Sequence, residues 1–169
     1  LLEIEKPSKK DLESLISLLK YPSHVHYFFT KLSSKGWFVP LKEHGFFSVP
    51  FSEVRKEGYS ISSLEPLTKY LVNVSSEIPN EVMDVIKQIG HTDDYIVHIN
   101  LVDCALQMPA SIAKDILPFV GKWLDTSVLS PLPQKIAELC IKLINEGENE
   151  ASLEVLRNLL SIKKVSGGV

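Results

Sequence analysis

Residues that could hold a metal ion or act as nucleophiles are few in this chain, and their spacing is poor. Five histidines are present. His24 and His26 stand two apart on a predicted helix, so they point about 200° apart and cannot share an ion. His44 follows Glu43 near a predicted helix C-terminus, where a cation complements the helix dipole. Asp94 and His98 stand four apart, a workable spacing for two ligands on one helix face. His91 and Asp93 lie close by in sequence, but a site would need a third ligand from elsewhere. The competing reading makes Thr92 the cap of a helix whose first turn carries Asp93 and Asp94. In that reading His98 is a surface or half-buried partner. Cys104 and Cys140 fall on apolar faces, where free cysteine packs as a small core residue. A reactive thiol needs an accessible, electropositive setting, and His98, six positions before Cys104, does not face it. No Gly-rich phosphate loop, His-Glu-x-x-His, Gly-x-Ser-x-Gly or Cys-x-x-Cys occurs. The expectation is a chain with no catalytic residue, no cofactor and no metal site.

The elements that would position such residues are helices. Ser8 reads as the N-cap of a helix presenting Leu12, Leu15, Ile16 and Leu19 on one face. Pro22 opens a second helix through Val25, Phe28, Phe29 and Leu32 toward Ser34, with Gly36 as its breaker. A short helix over 37–44 ends at Gly45, a left-handed terminator. Residues 46–61 lack a period and read as an ordered loop. Ser62 and Ser63 then open a helix through Leu64, Leu67, Leu71 and Val74. Pro79 opens another, which ends at Gly90. The helix after Thr92 carries Ile96, Ile99, Val102, Cys104 and Leu106, an apolar surface that predicts a central position. Pro109 opens the next helix, and Pro118 inside it predicts a kink or an early end. Helices over 133–146 and 149–163 close the pattern.

One segment repeats. LVNVSSEIPNEVMDVI (71–86) aligns with LVDCALQMPASIAKDI (101–116) without a gap, 30 residues on. The same Pro-x-x-apolar-x-x-x-apolar spacing recurs at Pro22/Val25/Phe29, Pro79/Val82/Ile86, Pro109/Ile112/Ile116 and Pro133/Ile136/Cys140. Proline starts a helix, and the residues three and seven positions later share a face. A helix pair of this kind cannot bury its apolar face alone, so neighbours must stack. Over residues 61–163 the chain resembles a divergent HEAT- or armadillo-like α-solenoid. The implied fold class is all-α, with antiparallel helix pairs stacked as a short right-handed superhelix. The implied organisation is an aromatic-rich N-terminal unit and loop over 1–60, the helical-repeat region over 61–163 and a flexible tail over 164–169. The segment FFTKLSSKGWFVPLKEHGFFSVPF (28–51) is similar to helical regions of large uncharacterised bacterial proteins, some with nucleotide-binding or defence-type modules elsewhere.

Composition narrows the function classes. The 169 residues hold 18 Lys+Arg against 21 Asp+Glu, a net charge of −3. Residues 1–60 are net +2 and residues 61–169 net −5. Only Arg55 and Arg157 are arginines, and arginine is the usual reader of phosphate and guanine. This balance disfavours nucleic acid as a partner. No apolar run reaches the roughly 18 residues that span a bilayer, and no signal-peptide pattern opens the chain. The location expected is cytoplasmic. The chain starts Leu1-Leu2-Glu3 without Met, which reads as a piece of a larger protein.

The functional expectation is therefore a non-catalytic scaffold or protein-interaction module, binding a protein, a peptide or other domains of its parent chain. The alternatives are a nucleic-acid-binding HEAT-like domain, a sensor or linker region of a nucleotide-binding or defence-type protein, and an enzyme with a site between the N-terminal unit and the repeats. Two residue sets could carry binding. Nine of the 14 aromatic residues lie in 21–51. Phe28, Trp37 and Phe46 could form a local core that caps the repeats, while Trp37, Phe38, Phe46 and Phe47 could instead anchor a partner. The second set is polar and belongs to the second helices of the pairs: Glu81, Asp84, Lys87, Lys114, Asp115 and Lys122. The acidic run Glu146-Gly147-Glu148-Asn149-Glu150 reads as a solvated turn that could also attract a basic partner.

Overall fold

A computed structural model describes residues 1–48, 63–125 and 131–161. Most of the expected 46–61 loop and the whole 164–169 tail lie outside the described residues. Among the described residues the protein is all-α, with no strand. None of their helices is long and apolar enough to cross a membrane.

Helix α1 (Lys9–Leu18) starts where Ser8 and Asp11 form a reciprocal capping box. Asp11 sits below the usual carboxylate range because it accepts hydrogen bonds from the Ser8 hydroxyl and backbone N–H. Helix α2 (Pro22–Lys31) opens at its proline and ends three residues short of Ser34. Gly36 then lies in a 3₁₀ turn (Lys35–Trp37) leading into α3 (Phe38–Glu43). A Cβ on Gly36 would stand 1.7 Å from the Glu5 carbonyl oxygen, so its glycine admits the N-terminal segment against the turn. Gly45, at φ 87°, closes α3 in a Schellman pattern: Phe46 N–H donates to Leu41 C=O and Gly45 N–H to Lys42 C=O.

Helix α4 (Glu65–Val74) begins at Glu65, whose N–H donates to the Ser63 hydroxyl. Helix α5 (Pro79–Ile89) runs from its proline to Gly90. Helix α6 (Tyr95–Gln107) is capped by Asp94 and not by the expected Thr92. The Thr92 hydroxyl instead accepts the Asp94 N–H, and the freed Asp94 carboxylate accepts the Ile96 N–H. The segment after Pro109 breaks into three: α7 (Ala110–Ala113), a 3₁₀ stretch (Lys114–Ile116) and α8 (Leu117–Asp125). Pro118 explains the break. Its ring crowds the carbonyl of Lys114 and it offers no N–H, so the preceding turn tightens. Helices α9 (Leu132–Asn145) and α10 (Asn149–Ser161) complete the described chain.

One helix row runs α2 on α4, α4 on α6 and α6 on α9. The others pack alongside it, α5 against α7 and the 3₁₀ stretch, and α8 against α10. Helix α6 lies inside, with Val97, Leu101, Val102, Cys104 and Ala105 all buried. The aligned positions Leu71 and Leu101, Val74 and Cys104, and Ile86 and Ile116 are likewise buried. One continuous apolar core links Leu15 at one end to Leu143 at the other.

Candidate functional site

Trp37, Phe38, Phe46 and Phe47, offered above as partner anchors, are interior residues, which corrects that alternative and agrees with the local aromatic core around Phe28, Trp37 and Phe46. Trp37 is 0% exposed, and Phe38, Phe46 and Phe47 are buried with it. Phe28 meets Trp37 edge-on, Phe38 stacks on Phe47, and Phe47 stacks on Tyr70 of α4. The Tyr70 hydroxyl donates to the Ser34 carbonyl, and burial raises its pKa. Adjacent Phe46 and Phe47 are both interior, in the turn that follows Gly45. Phe46 packs toward Phe29 and Phe47 toward Phe38. Among the described residues of 21–51, the aromatics that face solvent are Tyr21 and Tyr27, 61% and 62% exposed. Tyr27 borders a 520 Å³ hollow lined by Leu1, Leu2, Leu15, Leu18 and Phe28.

His98 and the two cysteines are buried among packed side chains. His98 is 0% exposed and lies between His91 and Trp123, with ring centroids 5.4 and 4.9 Å away. Its Nε2 accepts the Thr92 N–H at 3.2 Å, so the neutral ring carries its proton on Nδ1, which has no partner. Burial, with His91 beside it, pushes the His98 pKa down to about 4. Trp123 Nε1 donates to the Gly90 carbonyl, which ties α8 to the end of α5. Asp94 is engaged in capping, so Asp94 and His98 do not converge on a common point. No group of three His, Cys, Asp or Glu residues converges among the described residues. Cys104 and Cys140 are buried, and burial raises both thiols, Cys140 to about 11.

The polar set divides. Glu81 and Asp84 are exposed on α5, and Lys122 is exposed on α8. Lys87, Lys114 and Asp115 come together at a groove of about 860 Å³ between α8 and α10. Lys87 pairs with Asp115 at 2.7 Å, and Lys114 with Glu148 at 2.9 Å, which holds the lysine pKa up. The floor and walls are Leu117, Phe119, Leu124 and Val155, and Glu154 and Asn158 stand on the α10 side. Glu150 and Glu154 line the adjoining surface with Glu148. Sequence reasoning missed Phe119, Gly121, Leu124, Glu154 and Val155. Their only signal was the acidic run before α10, and part of that run is spent internally. Glu146 accepts the Ala110 N–H and pairs with Lys142, while Glu148 takes Lys114.

With that geometry in view, protein-family models, curated proteins and solved structures were each compared with the chain, and none matches it.

Proposed function

We propose that the chain is a non-catalytic interaction module, a HEAT- or armadillo-like right-handed α-solenoid that presents its second-helix row to a protein or peptide. One observation supports this reading above others. Polar bonds between successive elements along the chain join them at similar sequence separations. Asn100 Nδ2 donates to the Thr68 hydroxyl, Lys135 pairs with Asp103, Lys87 with Asp115 and Lys114 with Glu148, and Lys142 donates to the Met108 carbonyl. The separations run from 28 to 34 residues. Nearest-neighbour stacking of this kind is what a repeat architecture requires. Internal pairing of Lys87 and Lys114 also removes two of the cations a polyanion would need, which favours a protein partner over nucleic acid.

The test is quantitative affinity capture with three proteins: wild type, a Glu81→Lys/Asp84→Lys/Lys122→Glu variant, and a control changed at Gln107 and Ser111. A partner recovered by wild type and control but lost on the triple variant supports the reading. Partners that bind all three equally, or none at all, count against it.

A further inference from the structure

We propose that the groove between α8 and α10 docks a basic amphipathic helix of a partner protein. The proposal rests on the interaction-module reading and specifies its site and ligand chemistry. Three observations carry it.

The first is shape and polarity. An opening of about 860 Å³ has an apolar lining of Leu117, Phe119, Leu124 and Val155, and helices form its walls. An apolar groove flanked by helices suits a helix that inserts anchors at i, i+3 or i+4, and i+7.

The second is charge. Lys87 and Lys114 are committed to Asp115 and Glu148. Among the described residues Glu150 and Glu154 take part in no ion pair. Glu154 lines the groove, and Glu150 stands beside it on the adjoining surface with Glu148. The uncompensated charge at the site is negative, so the flank of the incoming helix must be basic. A second copy of this chain seated symmetrically here would set the same glutamates against each other, which disfavours self-association.

The third is Gly121. It lies within α8, faces solvent at the groove, and does not adopt positive φ. Glycine is a poor residue for a helix interior, and a Cβ at this position would meet nothing within 4 Å. Neither backbone conformation nor internal packing requires glycine here. What its missing side chain provides is room for another backbone to come close to α8.

The experiment is selection from a displayed library of random segments about 16 residues long, enough for four helical turns. Wild type is the bait, and Gly121→Trp, which fills the groove from an open position, is the counter-bait. Enrichment of Lys/Arg-rich segments with apolar residues at helical spacing supports the proposal. Enriched peptides are then synthesised and measured by fluorescence anisotropy. Gly121→Trp is expected to weaken them at least about tenfold and Glu150→Gln/Glu154→Gln about fivefold or more, with affinity falling as salt rises. Gly121→Ala, whose methyl group takes part of the room the glycine leaves, is expected to weaken them by an intermediate factor of about threefold. Circular dichroism melting of each variant checks that the fold is intact. Enrichment of acidic or unpatterned segments, no enrichment, or affinities indifferent to Gly121→Trp would each overturn the proposal. A concentration-dependent dimer in sedimentation that Gly121→Trp dissolves would overturn it in favour of a second copy. If groove binding fails while a partner is still captured through Glu81, Asp84 and Lys122, the groove assignment falls and the interaction-module reading stands.

Discussion

Replacing His98 with glutamine should flatten the acid dependence of stability. His98 is wholly buried between His91 and Trp123, and its Nε2 lone pair faces the Thr92 N–H. Protonation would put a second N–H against that donor and a charge in a site walled by rings. Asp93 and Asp94 partly offset that charge, but burial dominates and His91 adds to it. The folded-state pKa is about 4 against an ordinary 6.5. A histidine with a depressed pKa binds its proton more weakly when folded. Its contribution is therefore complete above pH 6.5, declines as pH falls below 6.5, and is fully lost below about 4. The whole gap corresponds to about 3 kcal/mol, of which about 2 kcal/mol is already gone at pH 5. The assay is urea denaturation between pH 7.5 and 4.5, followed by tryptophan fluorescence. Wild type should lose about 2 kcal/mol more than His98→Gln between pH 7.5 and pH 5. The glutamine keeps an acceptor for Thr92 but cannot titrate. Parallel curves for the two proteins, or an NMR titration of His98 with a midpoint near 6.5, would refute the buried-neutral assignment.

Other outcomes follow from the same structure. Gly36→Ala sets a Cβ against the Glu5 carbonyl, which is backbone and cannot swing aside. The variant should lose about 2 kcal/mol or more in denaturant titration and become cleavable by protease near residues 3–6. Cys104 and Cys140 should resist a thiol reagent in the native state at pH 8 and react fully in guanidinium, because burial hides both and raises their pKa values. A double-mutant cycle on Lys135 and Asp103, paired at 2.8 Å across α9 and α6, should return about 0.5–1 kcal/mol. The more exposed Lys87 and Asp115 should return under about 0.5 kcal/mol. Gly121→Ala should raise the stability of the free protein by about 0.5–1 kcal/mol in the same titration, since the new methyl group meets no neighbour.

Elements whose signals are local were legible from residue order. Ser8, Pro22, Pro79, Gly45 and Gly90 mark their boundaries through capping, a fixed φ or a positive φ, and each acts within one turn of chain. The central place of α6 was also readable, because its apolar residues cover too much of the helix circumference for a surface position. The cap at Thr92 was misread because Thr92 and Asp94 are both competent acceptors, and the choice depends on where α6 begins. The groove was not legible. Lys114 and Asp115 were visible as polar positions, but the opposite wall comes from Val155 and Asn158 on α10, and no local pattern relates it to α8.

Sequence alone determined that this chain is helical, where most helices start and stop, and which residues are able to enter a core. These follow from interactions between residues three or four apart and from the backbone limits of proline and glycine. Tertiary structure decided which apolar residues the core takes and which charges remain for a partner. Trp37, Phe38, Phe46 and Phe47 are inside because α3 packs on α1 and the turn after it sets Phe46 against Phe29 of α2 and Phe47 against Tyr70 of α4, and Lys87 and Lys114 are neutralised because the 3₁₀ stretch and the turn before α10 bring Asp115 and Glu148 from about 30 residues away. The reason is that burial and pairing depend on the register in which separate helices pack, and that register is a property of the assembled chain.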